Sequence, residues 1–113
     1  SKSSGNTVFK HWHRRLGEVL SLSLTVAAPA ALADDTAQLE RMVIQDCGSC
    51  HGLTLKGGLG RPLTPRALAH VDEAAIAAII LDGIPGTAMP RWRPLLSEQQ
   101  AMWMAQYLKS RAP

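Results

Sequence analysis

Cys47-Gly48-Ser49-Cys50-His51 is where the chemistry of this sequence is concentrated. Two thiols separated by two residues can each add to a vinyl group on one edge of a porphyrin, and the adjoining imidazole can then ligate the iron. Because the links sit on the same short turn, ligation by His51 is effectively intramolecular and tight. Other uses of the pair fit less well. A thioredoxin-like redox pair follows a strand, whereas a helix is predicted here. Structural zinc takes four Cys or His ligands, and only His70 follows the motif. A plain disulfide leaves His51 without a role. One covalently attached haem c per chain is therefore expected, through Cys47 and Cys50 with His51 on the iron.

A six-coordinate iron barely moves on reduction, and a thioether opposite an imidazole raises the potential. Met42 shares a predicted helix with the cysteines, and Met102 and Met104 lie inside the last predicted helix, where methionine reads as core filler. Met89 stands in the loop Gly86-Thr87-Ala88-Met89-Pro90, between Pro85 and Pro90. It is the expected sixth ligand, with His70 as the alternative. A filled sixth position leaves no place for substrate or gas, so an electron carrier is expected rather than an enzyme.

Helices must position these groups, since no stretch from Asp35 onward alternates as a half-buried strand does. The fold class expected is all-α, with three or four helices around one haem. Asp35 and Gln38 resemble a capping box, opening a helix with Leu39, Met42, Val43 and Cys47 on one face. Gly57, Gly58, Gly60 and Pro62 break the chain into a loop where backbone can approach a flat ligand. Thr64-Pro65 predicts a short helical stretch over 66–70. Asp72 predicts the N-cap of a helix that buries Ile76, Ile79 and Ile80 and ends at Gly83. Ser97 and Gln100 predict a capping box before a helix with Ala101, Met104, Ala105 and Leu108 on one face, flanked by Trp103 and Tyr107.

The 113 residues suffice for one domain, and one Phe, one Tyr and three Trp leave room for a porphyrin to supply apolar bulk. Lys10, Arg14 and Arg15 precede a Leu-, Val- and Ala-rich run over 16–28, and Ala31-Leu32-Ala33 has the small-x-small form of a cleavage site. Residues 1–33 are read as a signal peptide, 1–9 being an extended leader or a start-site artefact, and 34–113 as the monohaem domain. The apolar run is shorter than the roughly 20 residues of a spanning helix, so no membrane anchor is expected after cleavage. Lys2, Lys10, Arg14, Arg15 and Glu18 precede Asp34, which leaves eight basic and eight acidic residues in the remainder. A neutral domain without a basic tract excludes nucleic acid as a partner. The domain is expected to be a monomer in the periplasm.

From Asp46 to Tyr107 the chain resembles class I c-type cytochromes. The run Asp-Cys-Gly-Ser-Cys-His-Gly-Leu-Thr-Leu-Lys-Gly-Gly-Leu-Gly resembles the cytochrome c55X family in particular, as do 81–90 with Pro-Gly-Thr-Ala-Met-Pro and 92–97. The resemblance implies a periplasmic protein of denitrifying bacteria, serving cytochrome cd-type nitrite reductase as electron donor or as maturation partner. It also implies a Gly-Pro-x-Leu stretch whose proline carbonyl accepts the ring N–H of the proximal histidine. Here Gly60-Arg61-Pro62-Leu63 places Arg61 at that position, which leaves open the carbonyl that holds His51.

No acid lies between Cys47 and Val71, a span with Lys56, Arg61 and Arg66, nor between Gly83 and Ser97, where Arg91 and Arg93 occur. Two basic loops at the haem edge would dock weakly on an acidic partner, with Arg91 the first residue to neutralise. Trp92 beside it is read as core filling, or as packing on the haem.

Overall fold

The computed structural model describes Ser23 and residues 28–112. Apart from Ser23 and residues 28–33, the expected signal peptide lies outside the described residues. Among those residues the regular elements are all helical: α1 (Ala28–Met42), a π-helical segment (Val43–Cys47), α2 (Gly48–His51), α3 (Glu73–Asp82) and α4 (Glu98–Ser110). None of these helices is long and apolar enough to cross a membrane.

The first three elements form one continuous helical run that delivers the cysteines. α1 begins at Ala28, upstream of the cap expected at Asp35. Asp35 is consequently inside the helix, and its carboxylate accepts from Gln100 Nε2 at 3.3 Å. Gln100 is also half of the α4 capping box, accepting from the Ser97 amide at 2.9 Å while its own amide donates to Ser97 Oγ at 3.1 Å. The expected α4 cap is therefore present, and it anchors α1 as well. Leu39 and Val43 are buried while Met42 and Cys47 are half-buried against them, as the helical spacing predicts.

α3 packs against α4, and α1 also touches α4. Ala101 and Ala105 are completely buried, so small side chains let the backbones approach. Trp103 stacks on Tyr107 at 5.2 Å, and the Tyr107 hydroxyl donates to Glu40 at 2.9 Å, tying α4 to α1. Two details of α3 differ from expectation. Ile79 is 40% exposed, because Ala77 and Leu81 join Ile76 and Ile80 on the buried face. Asp72 occupies the N-cap position without a side-chain cap bond, leaving its carbonyl to accept from the Ile76 amide.

Residues 66–70 form hydrogen-bonded turns in place of the expected helical stretch. Thr64 accepts twice, from the Leu68 amide at its carbonyl and from the Ala67 amide at its hydroxyl. Two such local bonds close the chain without a continuing ladder. Leu55, fully buried at φ 57°, pins the preceding loop to the core. A leucine in this left-handed region is uncommon, and burial of the whole side chain offsets the backbone cost.

Candidate functional site

The π-helical segment ends at Cys47, and α2 then carries Gly48, Ser49, Cys50 and His51 in a single turn. The Ser49 hydroxyl donates to the Asp46 carbonyl at 2.7 Å, helping close that turn. Both cysteines are free thiols: Cys47 half-buried, Cys50 exposed. Burial, with Asp46 adding a smaller like-signed contribution, pushes the Cys47 thiol up to about 11, so it stays neutral against the core.

After His51 the chain folds back beneath it. The Gly57 amide donates to the His51 carbonyl at 2.8 Å, and the Gly60 amide to the Cys50 carbonyl at 2.7 Å. His51 Nδ1 lies 2.6 Å from the carbonyl oxygen of Arg61 and acts as the donor. Arg61 thus supplies the carbonyl that the sequence left open. Gly60 makes the approach possible, since a Cβ there would lie 2.7 Å from Nδ1 and Cε1 of His51. With Nδ1 spent as a donor, Nε2 carries the lone pair that a metal ion needs.

The second loop is built on the end of α3. The amides of Trp92 and Arg93 donate to the carbonyls of Ile80 and Leu81, which would otherwise be unpaired helix ends. Gly83 turns the chain at φ 67°, where a Cβ would meet the Met89 carbonyl at 2.7 Å. The Thr87 hydroxyl donates to the Ile84 carbonyl at 2.7 Å and accepts from the Met89 amide at 3.3 Å. Half-buried Met89 is thereby held on the wall of a wholly apolar cleft with Met42, Cys47, Ile80, Trp92, Leu96 and Met104. Sequence reasoning treated Met104 as filler and set Met42 aside on the helix of the cysteines; Met104 is buried in the core, Met42 packs half-buried against it, and both also line this cleft. Trp92 does the same. No spacing rule connects these residues, because they come from four separate elements and a loop.

The donor set suits a haem. It combines two unbridged thiols on one turn, an imidazole with one nitrogen free, and a thioether on the far loop, beside apolar walls for a macrocycle. Among the described residues no three His, Cys, Asp or Glu side chains form a group that could hold a metal ion. His70 is exposed at the end of its turn.

Arg93 does not contribute to a basic loop as expected. Its Nε and Nη2 donate to the two Asp82 carboxylate oxygens at 2.8 and 2.9 Å, and Nη1 lies 3.5 Å from Glu98. The hydrogen bond from Arg93 holds the Asp82 carboxyl below the usual range, with the Arg93 and Arg91 charges acting in the same sense. A carboxyl lowered in the folded state stabilises above its ordinary value of about 3.9, and that contribution disappears as pH falls through the lowered value. The melting temperature of the protein should therefore drop more on acidification below about pH 4 than that of Asp82→Asn, the two curves converging at the acid end. Parallel curves would contradict the pairing.

Comparison with known proteins relates the chain to c-type cytochromes. Residues 34–108 match the family profile described as cytochrome c oxidase, cbb3-type, subunit III. The chain is 54% identical over 90 residues to cytochrome c55X of Paracoccus denitrificans, covering 80% of this chain and 86% of that protein. It is 48% identical over 96 residues to cytochrome c55X of Pseudomonas aeruginosa, covering 79% and 81%. Among solved structures, the c-type cytochrome NirC superimposes with a TM-score of 0.67 at 48% identity, covering 68% of this chain and 91% of that one. The dihydro-heme d1 dehydrogenase NirN, in complex with DHE, gives 0.60 at 32% identity, covering 66% of this chain and 16% of that one.

Proposed function

The chain belongs to the cytochrome c55X family of c-type cytochromes, and from that premise we propose that it is a periplasmic electron carrier that reduces a cytochrome cd-type nitrite reductase. Family membership brings covalently bound haem c, cofactor of electron transfer. In this reading Cys47 and Cys50 form the thioether links, while His51 Nε2 and the Met89 sulfur ligate the iron. The haem supplies one-electron chemistry, its iron alternating between ferric and ferrous.

The observation that carries the ligand assignment is the 2.6 Å contact between His51 Nδ1 and the Arg61 carbonyl, which fixes the tautomer and orients Nε2. Arg61 strengthens the imidazole as a donor by accepting its proton partway. Met89, restrained by Thr87 and Gly83, presents a neutral sulfur from a loop that need not rearrange when the iron changes charge. The apolar cleft around it excludes water and so favours the less charged, reduced state. None of these residues moves a proton or binds a substrate, which is the economy of a carrier.

For location, we read residues 1–33 as a cleaved signal peptide. Support comes from the family match beginning at residue 34. Cleavage there would also leave α1 opening with Asp34-Asp35, acidic residues that suit a helix N-terminus.

A second reading, in which the protein assists maturation of the specialised haem of nitrite reductase, is favoured by the likeness to a dihydro-heme d1 dehydrogenase. A deletion strain separates the two. Nitrite reductase with its full haem complement but starved of reductant supports the carrier; reductase lacking its specialised haem supports the maturation role and overturns the carrier.

A further inference from the structure

Leu59 is 96% exposed, the most exposed of the large apolar side chains among the described residues. It stands between Gly58 and Gly60, at the tip of a loop with little freedom to tuck it away. The Gly58 amide donates to the Gly60 carbonyl at 3.0 Å, and the Gly57 and Gly60 amides are bound to His51 and Cys50. This loop packs against the Nδ1 edge of His51 through Gly60 and the Arg61 carbonyl.

One exposed leucine is ordinary; the charge around this one is not. Lys56 and Arg61 flank it, both exposed, and neither they nor Arg66 pair with an acid among the described residues. Arg111 adds a fourth cation by donating to the Thr54 carbonyl at 3.0 Å. Glu40 is the one acid sharing a hollow with Lys56 and Arg111, and it accepts the Tyr107 hydroxyl. In the other acid-free stretch Asp82 and Glu98 take Arg93, which leaves Arg91 there without an ion pair among the described residues. The 56–61 loop keeps both of its cations unpaired among the described residues.

We propose that residues 56–61 are the docking surface for an acidic protein partner, whose carboxylates meet Lys56 and Arg61 and whose apolar socket receives Leu59. The identity of that partner as nitrite reductase rests on the function proposed above. Because the loop is bonded through its backbone to Cys50 and His51, docking there seats the partner directly against the turn that carries the haem.

The test is stopped-flow oxidation of the ferrous holoprotein by purified cytochrome cd-type nitrite reductase at low and high salt. Leu59→Ser should lower the second-order rate by about fivefold or more, and Lys56→Glu by about fivefold with a flattened salt dependence. Arg91→Glu should change it less than about twofold, with absorption spectra constant in all three variants. An Arg91→Glu loss equal to that of Lys56→Glu, or a Leu59→Ser rate equal to wild type, overturns the proposal. So does a concentration-dependent dimer in sedimentation that Leu59→Ser abolishes, since a second copy would then cover the leucine. If the wild type fails to reduce the reductase, the donor reading falls and the surface is judged separately with hexacyanocobaltate(III), a redox-inert trianion. Amide shifts confined to 56–61 in the labelled holoprotein then support the surface, whereas shifts at 91–93, or none, overturn it.

Discussion

Met89→Ala is expected to yield a protein that is still covalently coloured but has lost the red-end absorption band of a thioether on ferric iron. Its midpoint potential should fall by on the order of 100 mV or more, a fraction of the roughly 0.8 V that axial ligation commands. The thioether stabilises ferrous iron because it is a soft, neutral donor, and alanine leaves the position open to water. The backbone of the loop should persist in the variant, because Thr87, Gly83 and the Trp92 and Arg93 amides hold it without help from the Met89 side chain. Met89→His should restore a six-coordinate, low-spin spectrum at a still lower potential. Retention of the band in Met89→Ala would assign the sulfur elsewhere, and Met42 and Met104 line the same cleft.

The second large effect is expected at Gly60. A methyl group there would lie 2.7 Å from two atoms of the His51 ring, so either the imidazole or the loop must move. Overpacking of this kind costs about 1–3 kcal/mol. In Gly60→Ala the displaced ring should also lose its hydrogen bond to Arg61, lowering both the yield of holoprotein and the potential. Gly86→Ala provides the contrast. Its added carbon meets nothing within 4 Å, although φ is 76°, so it should cost about 1 kcal/mol through the backbone alone and leave the spectrum unchanged. Equal spectra for Gly60→Ala and wild type would show that the close approach to His51 is immaterial.

The helical elements were legible in the sequence because their signals are local. Ser97 and Gln100 cap α4 as their three-residue spacing requires, and Ala101, Met104, Ala105 and Leu108 form its buried face. The cytochrome c fold and its covalent haem followed from the Cys-x-x-Cys-His motif and the two loops that resemble cytochrome c55X. What was not legible depends on partners distant in sequence. Asp35 has the look of an N-cap but sits within a longer α1, and its partner is Gln100, 65 residues away. Arg93 reads as part of a basic loop until Asp82 and Glu98 are brought beside it, eleven and five residues along the chain. Ile79 lost its place in the core to Ala77 and Leu81, because a wholly apolar helix does not reveal which side it buries. The π-helical segment before Cys47 left no mark in the sequence at all. The histidine's partner lay between these cases: the departure at Arg61 was visible, but only the fold shows that its carbonyl takes the proline's place.

Attachment of the haem by two thioether bonds is the claim on which the ligands, the docking loop and the carrier function all depend. Intact-mass measurement after extraction with acidified acetone tests it most directly, comparing the exported protein with its Cys47→Ser, Cys50→Ser double variant. The polypeptide should retain its colour and weigh one haem more than residues 34–113, while the variant loses both; a colourless wild-type polypeptide without the added haem mass, with the pigment in the solvent, would contradict it.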